Sequence, residues 1–317
     1  MSTQRDVQDR ISSVKNIEKI TRAMQMVAAA RLRRAEQRIE ALRPYADAIR
    51  RMTRQAAEAA ENIPNVPILF EHGEENDVAL LLVTGDRGLA GSFNSQIIRT
   101  GLSAAREHES EGKSVSFYAS GRRGVSSLEF RGKDVTGRYI GFTDRPSYSD
   151  AREIANDLMA AYVDEKIDRV EIFYNGYVSP MTQVVRRETL LPLEQASILD
   201  DEDSEDDEEE RDGEEEQAGE EERSEQSESG HRALVEYEPD PEEILKRLVP
   251  DYVEVSVYRA LLESTASEHG ARMTAMRQAS DNAKEMIDDL TLEMNRARQA
   301  EITQEIMEVV AGAEALR

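Results

Sequence analysis

The chain has 317 residues, 33% of them charged and 5% aromatic, and a net charge of −25; that balance suits long helices better than a dense all-β core. It has no cysteine, which excludes a disulfide framework, a thiolate nucleophile and a zinc-finger site, and four scattered histidines without an HExxH pattern argue against a metal centre. The longest apolar run, residues 78–83, is too short to cross a bilayer, and the start MSTQRDVQDR lacks a signal-peptide core, so the protein is expected to stay on the cytoplasmic side of any membrane it meets.

Taken in order, residues 2–58 place apolar or small side chains at Val7, Ile11, Val14, Ile17, Ile20, Met24, Val27 and Leu32, and on through Ala35, Ile39, Leu42, Ala46 and Ile49 to Met52. Steps of three and four predict a helix with a narrow coiled-coil seam. Ser2 or Thr3 can cap its start, with Asp6 in the first turn. Pro44 is expected to bend it or loosen one turn, and NIPNVP (62–67) to end it. Its 13 Lys/Arg against 7 Asp/Glu give a net of +6. That basic face reads either as a solvated flank or as a surface turned toward an acidic protein partner. A nucleic-acid role is weak, because no aromatic side chains are interleaved for stacking.

From Asp77 the period changes. VALLLV (78–83) reads as a buried parallel strand. A turn with three glycines follows at 85–91, then a helix to about His108. SVSFYAS (114–120) and DRVEIFYN (168–175) read as further strands, with helical stretches near 121–129 and 150–165. TQVVRRETLLPL (182–193) reads as a last, partly exposed strand. Alternating strands and helices over 68–199 predict a small Rossmann-like α/β domain with a mostly parallel sheet. The 85–91 turn has the spacing G-x-x-G-x-x-G, which meets neither GxGxxG nor a GK[ST] pattern. It therefore reads as a structural strand-to-helix turn, in which Asp86 and Arg87 can pair, rather than a phosphate site.

Charge is concentrated beyond it. Residues 200–228 hold 19 Asp/Glu against Arg211 and Arg223, a net of −17, which leaves −8 for all the rest. With no apolar side chain larger than alanine, this stretch, bounded as 200–230, is expected to be a disordered loop. Either it is a solvated spacer or it docks against a basic surface.

The last segment, 240–316, reads as one helix: Asp240 can cap it, Pro241 suits its first turn, and Glu242 and Glu243 suit the positive end of its dipole. Its stripe runs from Ile244 to Ala297, with Pro250 expected to kink it, His269 packed in the seam, and Gly270 less favourable than alanine by about 1 kcal/mol. Roughly 75 residues at helical rise make a rod of about 110 Å. Paired antiparallel with residues 2–58, it outlasts its partner by about 18 residues, or about 27 Å. The expected architecture is therefore a long antiparallel two-helix coiled coil carrying an inserted α/β domain. A lone tip at 299–316, bare and amphipathic, needs a sleeve from another protein.

Several stretches resemble the gamma subunit of F-type ATP synthases of bacterial type: RISSVKNIEKITRAMQMVAAARLRRA (10–35), GDRGLAGSFN (85–94), IFYNGYVSPMTQ (172–183), TLLPL (189–193), YRALLESTASEHGARMTAMRQASDNAKEMI (258–287) and NRARQAEITQEIMEVVAGAEA (295–315). In the last, Ile302, Thr303, Glu305, Glu308, Gly312 and Ala313 stand where that family has I-T-x-E-x-x-[DE]-x-x-x-G-A. The resemblance implies a non-catalytic rotor shaft without cofactors. Its implied partners are the catalytic alpha/beta hexamer, the epsilon subunit and the membrane c-ring, with no nucleic acid and no span of its own. It also implies contacts to the catalytic ring at Arg298, Gln299, Thr303 and Glu305, with Met24 near that zone. Gly85 and Gly270 depart from the family, which leads one to expect Ser/Thr and Ala. Plastid relatives carry redox cysteines in an insert after LLPL, a mechanism this cysteine-free chain does not share. The competing readings are a coiled-coil scaffold that does not rotate and a nucleotide-binding α/β enzyme.

Overall fold

A computed structural model describes residues 4–59, 75–192 and 241–315. The elements are α1 (Gln4–Ala59), β1 (Asp77–Val83), α2 (Phe93–Ser110), β2 (Ser114–Ser120), α3 (Arg122–Phe130), β3 (Val135–Tyr139), α4 (Tyr148–Val163), β4 (Arg169–Tyr177), β5 (Gln183–Leu191) and α5 (Pro241–Ala315). The expected caps at Ser2, Thr3 and Asp240, the NIPNVP terminator and the acidic stretch lie outside the described residues.

The sheet has the order β3-β2-β1-β4-β5. Strands β1 to β4 are parallel, and β5 returns antiparallel along β4. The continuous apolar run of β1 follows from its central place, since alternate side chains point to opposite faces. Val78, Leu80 and Leu82 meet α2 and α3 through Phe93, Ile97, Val125 and Leu128. Ala79, Leu81 and Val83 meet α4 and the start of α5 through Ile154, Leu158, Leu245, Val253 and Val257. Strand β3 is an element that the sequence did not suggest.

Helices α1 and α5 are antiparallel partners, as expected. Thr21 and Ser280 share a hydrogen bond of 2.6 Å across the seam, so residue n of α1 lies level with about residue 301 − n of α5. Leu32 and Ala35 packed with Ala266, and Ala56 clustered with Leu245, fit that register. Both helices run unbroken through Pro44 and Pro250.

Two expectations about the helices change. The seam in the upper half of α1 passes through Val7, Ile11, Thr21 and Ala28, all buried, whereas Ile17, Ile20 and Val27 are 53%, 59% and 54% exposed. Met52 is exposed too, and Thr53 takes the inward place. Apolarity misled the assignment because helical phase, not hydrophobicity alone, decides which side chain faces a partner. In addition, the first third of α5 is more than a seam. Residues 260–270 are all buried, so the helix is enclosed between α1, the sheet and the loops above it.

Candidate functional site

Two regions carry functional potential: the enclosed polar stretch of α5 and its exposed end. In the first, the sequence ESTASEHG (263–270) puts hydroxyls, carboxylates and an imidazole where a core would ordinarily be apolar, and Thr265, Ser267, Glu268 and His269 are held by polar neighbours. Thr265 donates to the Thr143 carbonyl at 2.9 Å, and Ser267 to the Asn175 carbonyl at 3.0 Å. Glu268 accepts from Arg272, one turn on, and Arg272 also reaches the Gly88 carbonyl at 3.3 Å. Burial pushes the Glu268 carboxyl up, and Arg272 opposes this only in part. His269 is 1% exposed. Burial, and after it the Arg272 guanidinium, depresses its imidazole to about 4. It is thus a packed neutral histidine, as expected.

The 85–91 turn completes this collar. The Gly85 N–H donates to Asn94 Oδ1 (2.8 Å) and the Asp86 N–H to Thr143 Oγ1 (2.9 Å). Asp86 itself accepts from the N–H groups of Arg122 (3.0 Å) and Gly141 (2.9 Å) and from the Thr143 hydroxyl (3.0 Å). The first amides of the turn are therefore spent inside the chain, and the geometry is that of a structural joint. Arg87 does not pair with Asp86; it lies 3.7 Å from Asp144, which also takes Arg31 of α1 at 2.8 Å. Together with the bond from Tyr177 to Glu36, that ion pair ties α1 to the α/β domain.

The two departures at glycine have steric reasons. A Cβ at Gly85 would sit 2.7 Å from the Glu268 carboxyl, which fills the space a Ser or Thr side chain needs. At Gly270 a Cβ would lie 3.0 Å from the Pro180 carbonyl oxygen, so glycine lets the β4–β5 turn approach the helix.

At the other end, the register places Gln4 level with about residue 297. Every residue from 298 to 311 is exposed, so α5 continues there for about 27 Å without α1 beside it. Arg298, Gln299, Thr303 and Glu305 all stand on this extension. The Thr303 hydroxyl bonds back to the Gln299 carbonyl at 2.8 Å. Ile302, Ile306, Val309 and Val310 are 48–73% exposed and fall at helical spacing, forming an apolar stripe on the free end. Met24 is not brought to this place. It is half-buried in the seam, level with about residue 277 and about 30 Å along the axis from Arg298.

Set beside known proteins, the whole chain finds relatives. A sequence model of the family described as ATP synthase matches residues 3–316. The ATP synthase gamma chain of Rubrobacter xylanophilus is 42% identical over 316 residues, covering 100% of this chain and 99% of that one. The chain belongs to the ATP synthase gamma-chain family. The gamma chain of a Cyanothece species is 40% identical over 319 residues, with 100% of both chains covered. Among solved structures, a chain of the Euglena gracilis mitochondrial ATP synthase (OSCP/F1/c-ring, rotational state 3) superposes with a TM-score of 0.65 at 18% identity, covering 99% of this chain and 94% of that one. A chain of the Tetrahymena thermophila mitochondrial ATP synthase central stalk/c-ring gives 0.55 at 24% identity, covering 82% and 99%. These distant structures share the gamma-chain fold of a helical pair with an α/β insert. Among the described residues, no helix is long and apolar enough to cross a membrane.

Nothing in the sequence pattern singles out Ser267, Glu268 and Arg272, Asp86 stands out only as a local partner of Arg87, and the outward stripe of Ile17, Ile20 and Val27 reads as seam. A signal for the stripe existed: residues 17–27 hold more apolar positions than one narrow seam can bury.

Proposed function

We propose that this gamma chain is the central rotor shaft of an F-type ATP synthase, peripheral at the cytoplasmic face of the cell membrane. It couples proton flow through a membrane c-ring to the cycling of three catalytic sites in a surrounding alpha/beta hexamer, for ATP synthesis. The observation that carries this reading is the free end of α5, which leaves its partner helix with an apolar stripe in water. An isolated helix of that length is marginal, and a ring-shaped sleeve of protein would cover it on all sides. The α/β domain, at the opposite end of the helical pair, is the foot that meets the epsilon subunit and the c-ring. The working division of the chain is 2–58 and 240–316 for the coil, 68–199 for the foot and 200–230 for the acidic insertion.

The chain performs no chemistry in this scheme. Its asymmetry makes its contacts with the three catalytic sites unequal, and a ligand or partner shifts a conformational equilibrium only by its differential affinity for the states. A turn of the shaft exchanges those contacts among the sites. Arg298, Gln299, Thr303 and Glu305 are the proposed polar contacts at the free end, and Ile17, Ile20 and Met24 belong to a lower contact zone along the coil.

Deleting residues 302–317 tests this. The truncated chain should keep its folding stability within about 0.5 kcal/mol, since residues 302–311 are exposed. It should co-purify with the hexamer yet lose torque and coupling. Loss of folding would make the free end core rather than contact surface. Failure of the full chain to co-purify with an ATPase hexamer would favour a scaffold that does not rotate.

A further inference from the structure

One surface of the α/β domain is left unused by this scheme. Helices α2 and α3 lie side by side on the sheet face away from α5, and between them runs an open groove of about 680 Å³. Its walls carry Arg99 and Arg106 from α2, Arg123 from α3 and Arg131 at the cap that ends α3, all four exposed. No carboxylate lines the groove, and among the described residues none pairs with these four arginines. Three acids close by in sequence are engaged elsewhere: Glu107 holds Arg187 at 3.0 Å, Glu109 holds Lys133 at 2.7 Å and Glu129 holds Arg138 at 2.7 Å. Four unopposed guanidiniums in one concavity of a chain with net charge −25 call for a polyanionic occupant.

We propose that this arginine-lined groove docks the acidic segment 200–228 of the same chain. Charge is one argument, because ten of the eleven residues from 200 to 210 are Asp or Glu. Spacing is another. The two arginines of each wall are seven or eight residues apart on a helix, about 10–12 Å, the distance that three or four extended residues span. A run of consecutive carboxylates therefore presents an acceptor to both arginines of a wall, and guanidinium forks bind carboxylate in pairs of hydrogen bonds.

Reach is the third argument. The last residue of β5, Leu191, pairs with Val170 at the start of β4. Arg187, four residues earlier on the same strand, reaches Glu107 near the C-terminal end of α2. The chain thus leaves β5 at the end of the domain where Arg106 and Arg131 open the groove. The sheet is five strands wide, about 19 Å from β5 to β3 at the usual strand spacing. The eight steps of chain from Pro192 to Asp200 can extend about 26 Å, and twelve residues separate residue 228 from the first turn of α5.

The test uses the full chain with Arg123→Lys and Arg131→Lys, which keep the charge and supply amines for zero-length carbodiimide coupling. Products are mapped by peptide mass spectrometry, and coupling of Lys133 to Glu109 serves as the internal positive. Amide links from positions 123 and 131 to carboxylates within 200–228 are expected at about 20 mM salt. They should fall at least fivefold at about 0.5 M, where screening is within a few ångströms, and at least threefold when Arg99→Gln and Arg106→Gln are added. The proposal is overturned if Lys133 couples while positions 123 and 131 do not. It is equally overturned if the segment couples as often to Lys15 and Lys19 of α1, or if mixed isotope-labelled chains show that the links join separate molecules.

Discussion

His269 sets a pH response that can be worked from the structure. The fold holds a neutral imidazole, depressed to about 4 by burial and by Arg272, whereas the unfolded chain titrates near 6.5. A group with a depressed folded-state value contributes stability that is present above its unfolded pKa and is lost as pH falls toward its folded pKa. The full effect is about 3 kcal/mol, and about 2 kcal/mol of it is gone by pH 5. Glu263 and Glu268, whose carboxyls burial raises, act in the opposite sense as they take up protons. The wild-type curve alone therefore mixes the terms, and the comparison must be with His269→Gln. Urea unfolding followed by far-UV circular dichroism suits a chain without tryptophan. The wild-type minus variant difference in unfolding free energy should shrink by about 2 kcal/mol between pH 7.5 and pH 5.0. A difference that does not change with pH, or a His269 ring resonance that titrates near 6.5, would refute the reasoning.

Other outcomes follow from particular contacts. Thr21→Val leaves the Ser280 hydroxyl without its partner in the seam and should destabilise by about 1 kcal/mol; adding Ser280→Ala should recover most of that in a double-mutant cycle of denaturant midpoints. Gly85→Val drives a branched side chain into a Glu268 carboxyl that Arg272 holds in place, so a loss of about 1–3 kcal/mol is expected in thermal or urea unfolding. Ile17→Glu with Ile20→Glu changes two exposed side chains and should leave stability within about 0.5 kcal/mol, while co-purification with the hexamer falls. Stability loss without any change in co-purification would place those isoleucines in the core instead.

The strands and helices of the α/β domain were legible because their signals are local. The unbroken run in β1 and the strand patterns of β2, β4 and β5 each declare themselves within ten residues. Strand β3 did not, since VTGRY buries fully only its first and last residues and pairs along one edge alone. The length mismatch between α1 and α5 was readable from counting, and the Thr21–Ser280 register places the end of pairing within two residues of that count. The seam was misread at Ile17, Ile20 and Val27 because a polar pair, Thr21 with Ser280, occupies the position that apolarity alone would not choose. The collar was illegible for another reason. Its partners lie far apart in sequence, with Thr265 bonding to a residue 122 positions away and Arg272 to one 184 away. ESTASEHG on its own looks like a helix surface in water.

Helix α5 is one uninterrupted element from the sheet to the free end, and that continuity has a mechanical meaning. Three lengths of the same rod are clamped differently: the first by a sheet and loops, the middle by one partner helix, the last by nothing within the described residues. A torque applied at the end passes through them in series, and strain in a series collects in the most compliant member. Elastic twist is therefore held mostly in the free end and the paired section, while the enclosed collar turns as a rigid body with the α/β domain. The rod has a built-in gradient of torsional stiffness, soft at its free end and stiff where it is anchored in the collar.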